Sequence, residues 1–229
     1  MELYTCLTAQ GIAPDAARKM EEYGNAVAEA NEKFNLTRIL SPEDMAKSHF
    51  VDSIDAARKG YFAEAKTVID IGTGAGFPGV PLAIYLPQVQ VTVMDSSEKK
   101  TNFIRESCEK LNIPVQVVCG RSEELAREPQ YFQKFDIAVA RAVARLNVLL
   151  ELVAPYVKMG GHFLAYKGSS ALEEVEEAQS AAEKLGMELV EVVSAGPEDT
   201  RHMLAVYRRV KDTPAKLPRK YCKIKKNPL

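Results

Sequence analysis

The sequence predicts an α/β fold built on a seven-stranded, mostly parallel sheet, with helices on both faces and a helical extension at the N-terminus. From Thr67 onward, short apolar strand patterns alternate with helical patterns, which is typical of consecutive strand–helix units. A glycine-rich turn joins the first strand pattern to the helix after it. The last two strand patterns, residues 187–193 and 203–207, follow one another without a helical pattern between them, which predicts an antiparallel strand.

The 229 residues fit one α/β domain with two appendages. We predict a helical extension over residues 1–60, the α/β domain over 61–210 and a basic tail over 211–229. Within the extension, Ser41-Pro42-Glu43-Asp44 is typical of a helix start, and a helix is expected to continue beyond it through residue 54. The extension either binds a partner or only covers a face of the sheet.

Charge is unevenly distributed along the chain. The net charge is -1, but residues 208–229 contain nine Lys or Arg and a single acid. Such asymmetry favours a polyanionic partner, and nucleic acid in particular, over a tail that only increases solubility.

Several classes of protein are disfavoured by composition. No apolar run is long enough to span a membrane, and the N-terminus lacks the pattern of a signal peptide, so we expect a cytoplasmic protein without a membrane partner. The four cysteines are widely spaced, and no cluster has metal-ligand spacing, so we expect neither a disulfide framework nor a metal site.

Residues 68–79 predict a nucleotide site. A β-branched strand pattern ends at Asp70, glycines follow at Gly72, Gly74 and Gly76, and a helix is expected to open at Pro78. Glycine allows a sharp turn and a close approach of backbone to ligand, and the amides at a helix start are free to bind polar groups. The alternative is a turn that merely connects two elements.

Two ligand classes fit this turn. Residues 74–79 match G-x-G-x-x-G, the dinucleotide fingerprint, but the first glycine of the cluster is Gly72, directly after the strand. The order acid-x-Gly-x-Gly-x-Gly instead resembles the first motif of class I methyltransferases, which bind S-adenosylmethionine, with Asp70 facing the methionine amine. Asp95 ends the next strand pattern, where a carboxylate is expected to accept ribose hydroxyls in either class.

Further polar residues follow the other strand patterns, at the edge where α/β sheets bind ligands. Ser122 follows the third strand and is expected either to contact an adenine ring or to cap a short helix. Arg141 follows the fourth, where it can contact a purine edge, a phosphate or a cofactor carboxylate. The Asn/Asp-Pro-Pro-Tyr/Phe motif of adenine-amine methyltransferases is absent, and no cysteine follows a proline as in many 5-methylcytosine enzymes. His49 lies on a predicted helix, where a lone histidine is more often structural than catalytic.

Over nearly its whole length the chain resembles the bacterial ribosomal RNA small subunit methyltransferase G family, also called RsmG or glucose-inhibited division protein B. Gly-Phe-Pro-Gly-Val-Pro-Leu at residues 76–82 is much more specific than the glycine turn alone. The other matching segments are 35–37, 49–54, 70–83, 95–96, 120–123, 141–144, 167–168, 218–220 and 228–229. The tail departs from the family pattern, because Tyr221-Cys222 and Ile224 stand where a glycine and a further proline are usual.

The resemblance implies a Rossmann-like, class I fold that transfers a methyl group from S-adenosylmethionine to guanine N-7 in the decoding-region loop of 16S ribosomal RNA, as naked RNA, in a precursor or in the small subunit. Guanine N-7 carries no proton, so we expect in-line transfer without a general base or a covalent intermediate, with Arg141 as a positioning residue. The predicted cofactor contacts are Asp70, Gly72, Thr73, Gly74, Gly76, Phe77, Asp95, Ser96, Ser122, Glu123 and Arg141. The predicted RNA contacts are Asn35, His49, Arg121, Lys167, Arg219 and Lys220.

Three other functions remain open at this point. The chain is compatible with a methyltransferase that acts on a small molecule or a protein, with a dinucleotide-dependent oxidoreductase, and with an RNA-binding module whose cofactor site is inactive. The basic tail disfavours the first, and the position of Gly72 disfavours the second.

Overall fold

The computed structural model describes residues 2–196 and 201–229. Within these residues the strands form one seven-stranded sheet. The strands are β1 (Thr67–Ile71), β2 (Gln90–Asp95), β3 (Val115–Cys119), β4 (Phe135–Arg141), β5 (Val157–Lys167), β6 (Met187–Ala195) and β7 (His202–Arg209). The helices are α1 (Leu3–Ala9), α2 (Pro14–Lys33), α3 (Pro42–Asp44), α4 (Asp52–Arg58), α5 (Gly79–Tyr85), α6 (Glu98–Lys110), α7 (Ser122–Leu125), α8 (Leu146–Val153), α9 (Ala171–Leu185) and α10 (Tyr221–Lys226).

The sheet order is β3-β2-β1-β4-β5-β7-β6. The strands from β1 to β5 are parallel to one another, and β7 is antiparallel to both β5 and β6. The predicted fold class, including the antiparallel strand near its end, is confirmed. Residues 197–200, between β6 and β7, lie outside the described residues. Strand order reverses between β1 and β4, and ligands of such sheets bind where the carboxyl ends of these strands diverge.

The N-terminal helices cover one face of the sheet. Met20, Tyr23 and Val27 repeat on one side of α2 and are fully buried, in the same apolar cluster as Val68 of β1. This spacing places a continuous apolar stripe against the sheet, so burial of these side chains holds the extension in place.

The helix that starts at Ser41 is continuous to residue 58 but is not α-helical throughout. The Ser41 hydroxyl accepts a hydrogen bond from the Asp44 amide, as the predicted cap requires. Between α3 and α4, residues Met45–Val51 form a π-helix, where an ordinary helix was expected. A π-helical turn changes which side chains and carbonyls face one direction, and such turns are frequent at functional sites.

The tail packs against the opposite face. Leu217 and Ile224 are buried in the apolar cluster that includes α8. Helix α8 ends at Val153, because Pro155 shapes a 3₁₀ turn before Val157 starts β5. Among the described residues no helix has the length and apolar character needed to cross a membrane.

Candidate active site

Asp70 holds the two ends of the glycine turn together through hydrogen bonds. Its Oδ2 accepts hydrogen bonds from the Thr73 hydroxyl at 2.6 Å and from the Gly79 amide at 2.8 Å, so it ties the turn to the start of α5. Burial raises the pKa of Asp70 to about 6. Its Oδ1 is buried and has no partner among the described residues. An unpaired buried acceptor is costly, and a cationic or N–H group of a ligand would offset that cost.

Asp95 lies at the end of β2, beside the turn. Its Oδ2 accepts from the Gly74 amide at 3.0 Å and its Oδ1 from the Ser97 amide at 2.9 Å. Each carboxylate oxygen has a second lone pair, so Asp95 can still accept two hydroxyl hydrogen bonds. This fits the predicted contact with ribose.

Asp95 faces a pocket of about 300 Å³, hereafter the Asp95 pocket. Gly72 has a φ of +73°, and a Cβ there would lie 2.6 Å from a Val143 methyl group, so glycine permits this close approach. The lining residues are Ile71, Gly72, Met94, Asp95, Ser96, Lys100, Gly120, Arg121, Ser122, Glu123, Ala142, Val143, Leu152 and Tyr221. A strand-end acid, backbone amides and apolar walls together fit a nucleoside cofactor.

Two residues of the turn are required for packing. The buried Phe77 ring stacks on His49 with 4.5 Å between ring centroids. The predicted cofactor contact of Phe77 is therefore limited to its backbone. At Gly76 a Cβ would lie 2.2 Å from the Tyr23 hydroxyl, which donates to the Ala75 carbonyl at 2.8 Å. Tyr23 therefore anchors the glycine turn to α2.

Ser122 does not cap α7. Its hydroxyl donates to the Leu152 carbonyl at 2.8 Å, and no side chain caps this helix. The expectation of a Ser122 cap was therefore wrong, because a tertiary partner binds the hydroxyl. The neighbouring Glu123 accepts a hydrogen bond from the Tyr221 amide at 3.3 Å, so the tail reaches the rim of the Asp95 pocket.

A second cavity, of about 600 Å³, shares the Ala142–Val143 wall with the Asp95 pocket. We call it the Arg141 cleft. It is lined by Ile39, Ser48, His49, Asp52, Arg141, Ala142, Val143, Ala144, Arg145, Tyr166, Lys167, Gly168, Glu174, His202 and Met203. Two adjoining cavities at the switch point suit a cofactor and a second substrate.

Arg141 is fixed by the π-helical turn and α4. Its Nη1 donates to Asp52 Oδ2 at 2.6 Å and to the Ser48 carbonyl at 2.8 Å. Its Nη2 lies 3.3 Å from His49 Nδ1, and a guanidinium only donates, so Nδ1 accepts. The His49 proton is therefore on Nε2, which donates to the Thr37 hydroxyl at 2.8 Å.

His49 is held in its neutral form. Burial lowers its pKa to about 4, and the positive charge of Arg141 adds to that effect. Because both ring nitrogens have protein partners, the structure gives His49 the role of positioning Arg141 and Phe77, which differs from the predicted RNA contact.

The neutral His49 predicts a pH-dependent stability. The folded protein binds fewer protons at this site than the unfolded chain between about pH 4 and 6.5, so the contribution of His49 to stability rises with pH in that window. We expect the difference in unfolding free energy between wild type and His49→Gln to grow from pH 4 to 6.5 and then level off. Denaturant titrations at a series of pH values measure it, and a constant difference would contradict the assignment. Titration of Asp70 cancels in the comparison.

The other predicted RNA contacts divide into two groups. Asn35, Arg121 and Lys220 are exposed. Lys167 is only 8% exposed, and its ammonium bonds Glu174 at 2.7 Å and the Ala144 carbonyl at 2.8 Å. Arg219 forms a bidentate pair with Glu151. Lys167 and Arg219 therefore form structural ion pairs, Lys167 with an acid seven residues later and Arg219 with an acid 68 residues earlier.

Sequence reasoning missed Asp52, His202 and Tyr221. Asp52 lies three residues after His49, a helical spacing that places both on one side and was a usable signal. His202 lies at the start of β7, and only its contact with Asp52, at 2.7 Å, connects it to the site. Among the described residues no group of acids, histidines and cysteines could hold a metal ion.

Comparison with known proteins agrees with this architecture. Two solved structures share the fold: an O-methyltransferase from Bacillus cereus in complex with SAH (TM-score 0.58, 16% identity, 81% of this chain and 90% of that one) and M. jannaschii TYW2 in complex with AdoMet (TM-score 0.52, 18% identity, 69% and 77%). At these identities the likeness establishes the fold alone.

Sequence relatives are much closer. The ribosomal RNA small subunit methyltransferase G of Clostridium botulinum strain Alaska E43 is 42% identical, covering 98% of this chain and 97% of the relative. The protein of the same name from Alkaliphilus metalliredigens is 41% identical, covering 91% and 89%. The model of the family described as rRNA small subunit methyltransferase G matches residues 16–204. The chain belongs to the rRNA small subunit methyltransferase G family.

Proposed function

We propose that this protein transfers a methyl group from S-adenosylmethionine to guanine N-7 in the decoding-region loop of 16S ribosomal RNA, in the cytoplasm, within the small ribosomal subunit or its precursor. One observation carries the proposal: the Asp95 pocket and the Arg141 cleft, whose lining includes Arg141, Arg145, Lys167 and two histidines, share the Ala142–Val143 wall. Membership of a family named for methylation of small-subunit ribosomal RNA supports this RNA as the substrate.

The cofactor is S-adenosylmethionine, as expected for a member of this methyltransferase family whose fold occurs with AdoMet and SAH bound. It supplies a methyl group made electrophilic by a positively charged sulfur. We assign the ribose hydroxyls to Asp95, which lines the Asp95 pocket, whereas Asp70 is fully buried, with Oδ1 unpaired, and lines neither this pocket nor the Arg141 cleft. Glu123 and the backbone around Ser122 border the same pocket.

The Arg141 cleft is suited to orienting a base, not to removing a proton. Both ring nitrogens of His49 and both carboxylate oxygens of Asp52 have protein partners. Guanine N-7 presents a lone pair in the major-groove edge of the base and needs no base catalyst. Holding that lone pair in line with the methyl group, in a site that excludes water, can supply roughly 7–11 kcal/mol of the barrier. Arg141 has Nε–H and one Nη2–H left to bind the cofactor or the base.

Replacing Asp95 by alanine tests the cofactor site. We expect cofactor affinity to fall by about 1–3 kcal/mol, because ribose hydroxyls would lose a charged acceptor and the Gly74 amide would lose its partner. Isothermal titration calorimetry with S-adenosylmethionine measures this. Thr92→Ala is the matched control, because Thr92 lies three residues earlier in β2 and outside the Asp95 pocket. Unchanged affinity in Asp95→Ala would remove Asp95 from the site.

The proposed reaction is tested by transfer of labelled methyl groups from S-adenosylmethionine. Small ribosomal subunits, naked ribosomal RNA and total protein, all from cells lacking this enzyme, serve as substrates. Label in RNA that is released as 7-methylguanine and maps to one guanine of the decoding-region loop is the expected result. Label in protein or in a small molecule would refute the proposal, and so would binding of RNA without any transfer.

A further inference from the structure

A buried carboxylate in the Arg141 cleft holds two cationic side chains. Asp52 is 2% exposed, and its Oδ2 bonds Arg141 while its Oδ1 lies 2.7 Å from Nδ1 of His202. The three residues come from α4, from the end of β4 and from the start of β7. One carboxylate therefore fixes the direction of two side chains that both line the cleft.

Within this group of three residues, His202 has one ring nitrogen, Nε2, that Asp52 does not bind. Hydrogen bonds from His202 and Arg141 overcome the effect of burial and lower the pKa of Asp52, so its carboxylate is ionised and only accepts. Nδ1 of His202 must then donate. Nε2 has no partner among the described residues, and the side chain is 36% exposed within the lining of the cleft.

The charge of the ring follows from its neighbours. The hydrogen bond to Asp52 raises the pKa of His202, while burial and the positive charge of Arg141 oppose that rise. The charged groups that line the cleft are Asp52 on α4, Arg141 on β4, Arg145 before α8, and Lys167 on β5 with its partner Glu174 on α9. In its protonated form, which the hydrogen bond to Asp52 stabilises, the ring presents an Nε2–H and a positive charge to the cleft, and this group can donate to an anion.

We propose that His202 contacts a backbone phosphate of the RNA strand beside the nucleotide that is methylated. The inference rests on the proposed function, because it requires an RNA substrate. A base edge is the less suitable partner for this cation, since methylation at N-7 places a positive charge on the guanine ring. A phosphodiester stays anionic throughout the reaction and fixes the register of the strand without reading its sequence.

Salt dependence of kcat/KM separates a phosphate contact from a structural role. His202→Gln removes the charge but keeps a hydrogen-bonding side chain. On the RNA or subunit substrate methylated by wild type, we expect kcat/KM to fall about tenfold at low salt, mainly through KM. The slope of log kcat/KM against log salt, between about 50 and 200 mM, should become shallower by about 0.7, the value for one phosphate on a single strand. His202→Lys should restore the slope.

Two controls accompany the variant. Lys184→Gln removes one exposed positive charge at the end of α9, outside the cleft, and should keep the wild-type slope. Thermal unfolding should show that His202→Gln stays folded at the assay temperature, with some loss of stability because Asp52 loses one of its two charged partners, and calorimetry should show wild-type affinity for S-adenosylmethionine.

An unchanged slope, or a loss confined to kcat, would overturn the phosphate contact, and so would a loss of stability or cofactor affinity that accounts for the defect. If wild type methylates no RNA, the proposed function fails together with this inference. If wild type methylates RNA and His202→Gln retains its slope, this inference fails alone.

Discussion

Replacing Arg219 by alanine is expected to lower the free energy of unfolding by about 3 kcal/mol, because a buried carboxylate would lose its cation. Glu151 on α8 has no exposed surface, and Arg219 bonds it through Nε and Nη2 at 2.9 and 2.6 Å. Arg219 also donates its backbone amide to Glu151 at 2.8 Å, and that bond would survive the substitution. Chemical denaturation of wild type and Arg219→Ala, without RNA, measures the difference.

The neighbouring residue is the matched control for Arg219. Lys220 is exposed, so Lys220→Ala should change stability by less than about 0.5 kcal/mol. If Lys220 contacts RNA as predicted, its loss weakens binding and reduces the salt dependence without destabilising the fold. An Arg219→Ala protein that is as stable as wild type but binds RNA poorly would restore the original prediction of an RNA contact. Point substitutions are preferable to removing the tail, which contributes the buried Leu217 and Ile224.

Replacing Arg141 by alanine is expected to lower kcat/KM for methyl transfer by roughly 100-fold or more, because the group that orients cofactor and base would be lost. Stability should fall as well, by about 3 kcal/mol, since Asp52 would keep only His202 as a charged partner. Initial rates of labelled methyl transfer and denaturant titrations measure the two effects separately.

Arg141→Lys separates charge from geometry. A lysine keeps a positive charge near Asp52 but lacks the planar fork that bonds Asp52, Ser48 and His49 together. We expect this variant to recover most of the stability and little of the activity. Arg141→Ala with transfer within about fivefold of wild type would show that Arg141 is structural alone.

The elements that sequence reasoning located correctly depend on local spacing. Alternating strands and helices, the glycine turn after β1 and the acid that ends β2 are all written in short, contiguous patterns. Parallel strands align their carboxyl ends at one edge, so Gly72, Asp95 and Ser122 were expected to lie together, and all three line the Asp95 pocket. Their contacts with the cofactor stay predictions.

The features that sequence reasoning predicted wrongly depend on tertiary contacts between side chains and other parts of the chain. Nothing near Lys167 in the sequence shows that Glu174 and the Ala144 carbonyl will hold its ammonium. The π-helical turn likewise makes a contact that the local sequence does not indicate, since its Ser48 carbonyl accepts a hydrogen bond from Arg141, 93 residues away.

The sequence by itself determined the fold class, the family and the strand ends where ligands are expected, because local propensity and a nearly full-length motif pattern are properties of contiguous residues. Tertiary structure decided which charges are free to meet a substrate. A basic side chain can bind RNA only through donors that no protein acceptor already occupies, and burial makes such internal pairing necessary. Lys167 and Arg219 are held by internal acids, whereas His202 keeps one nitrogen for the cleft.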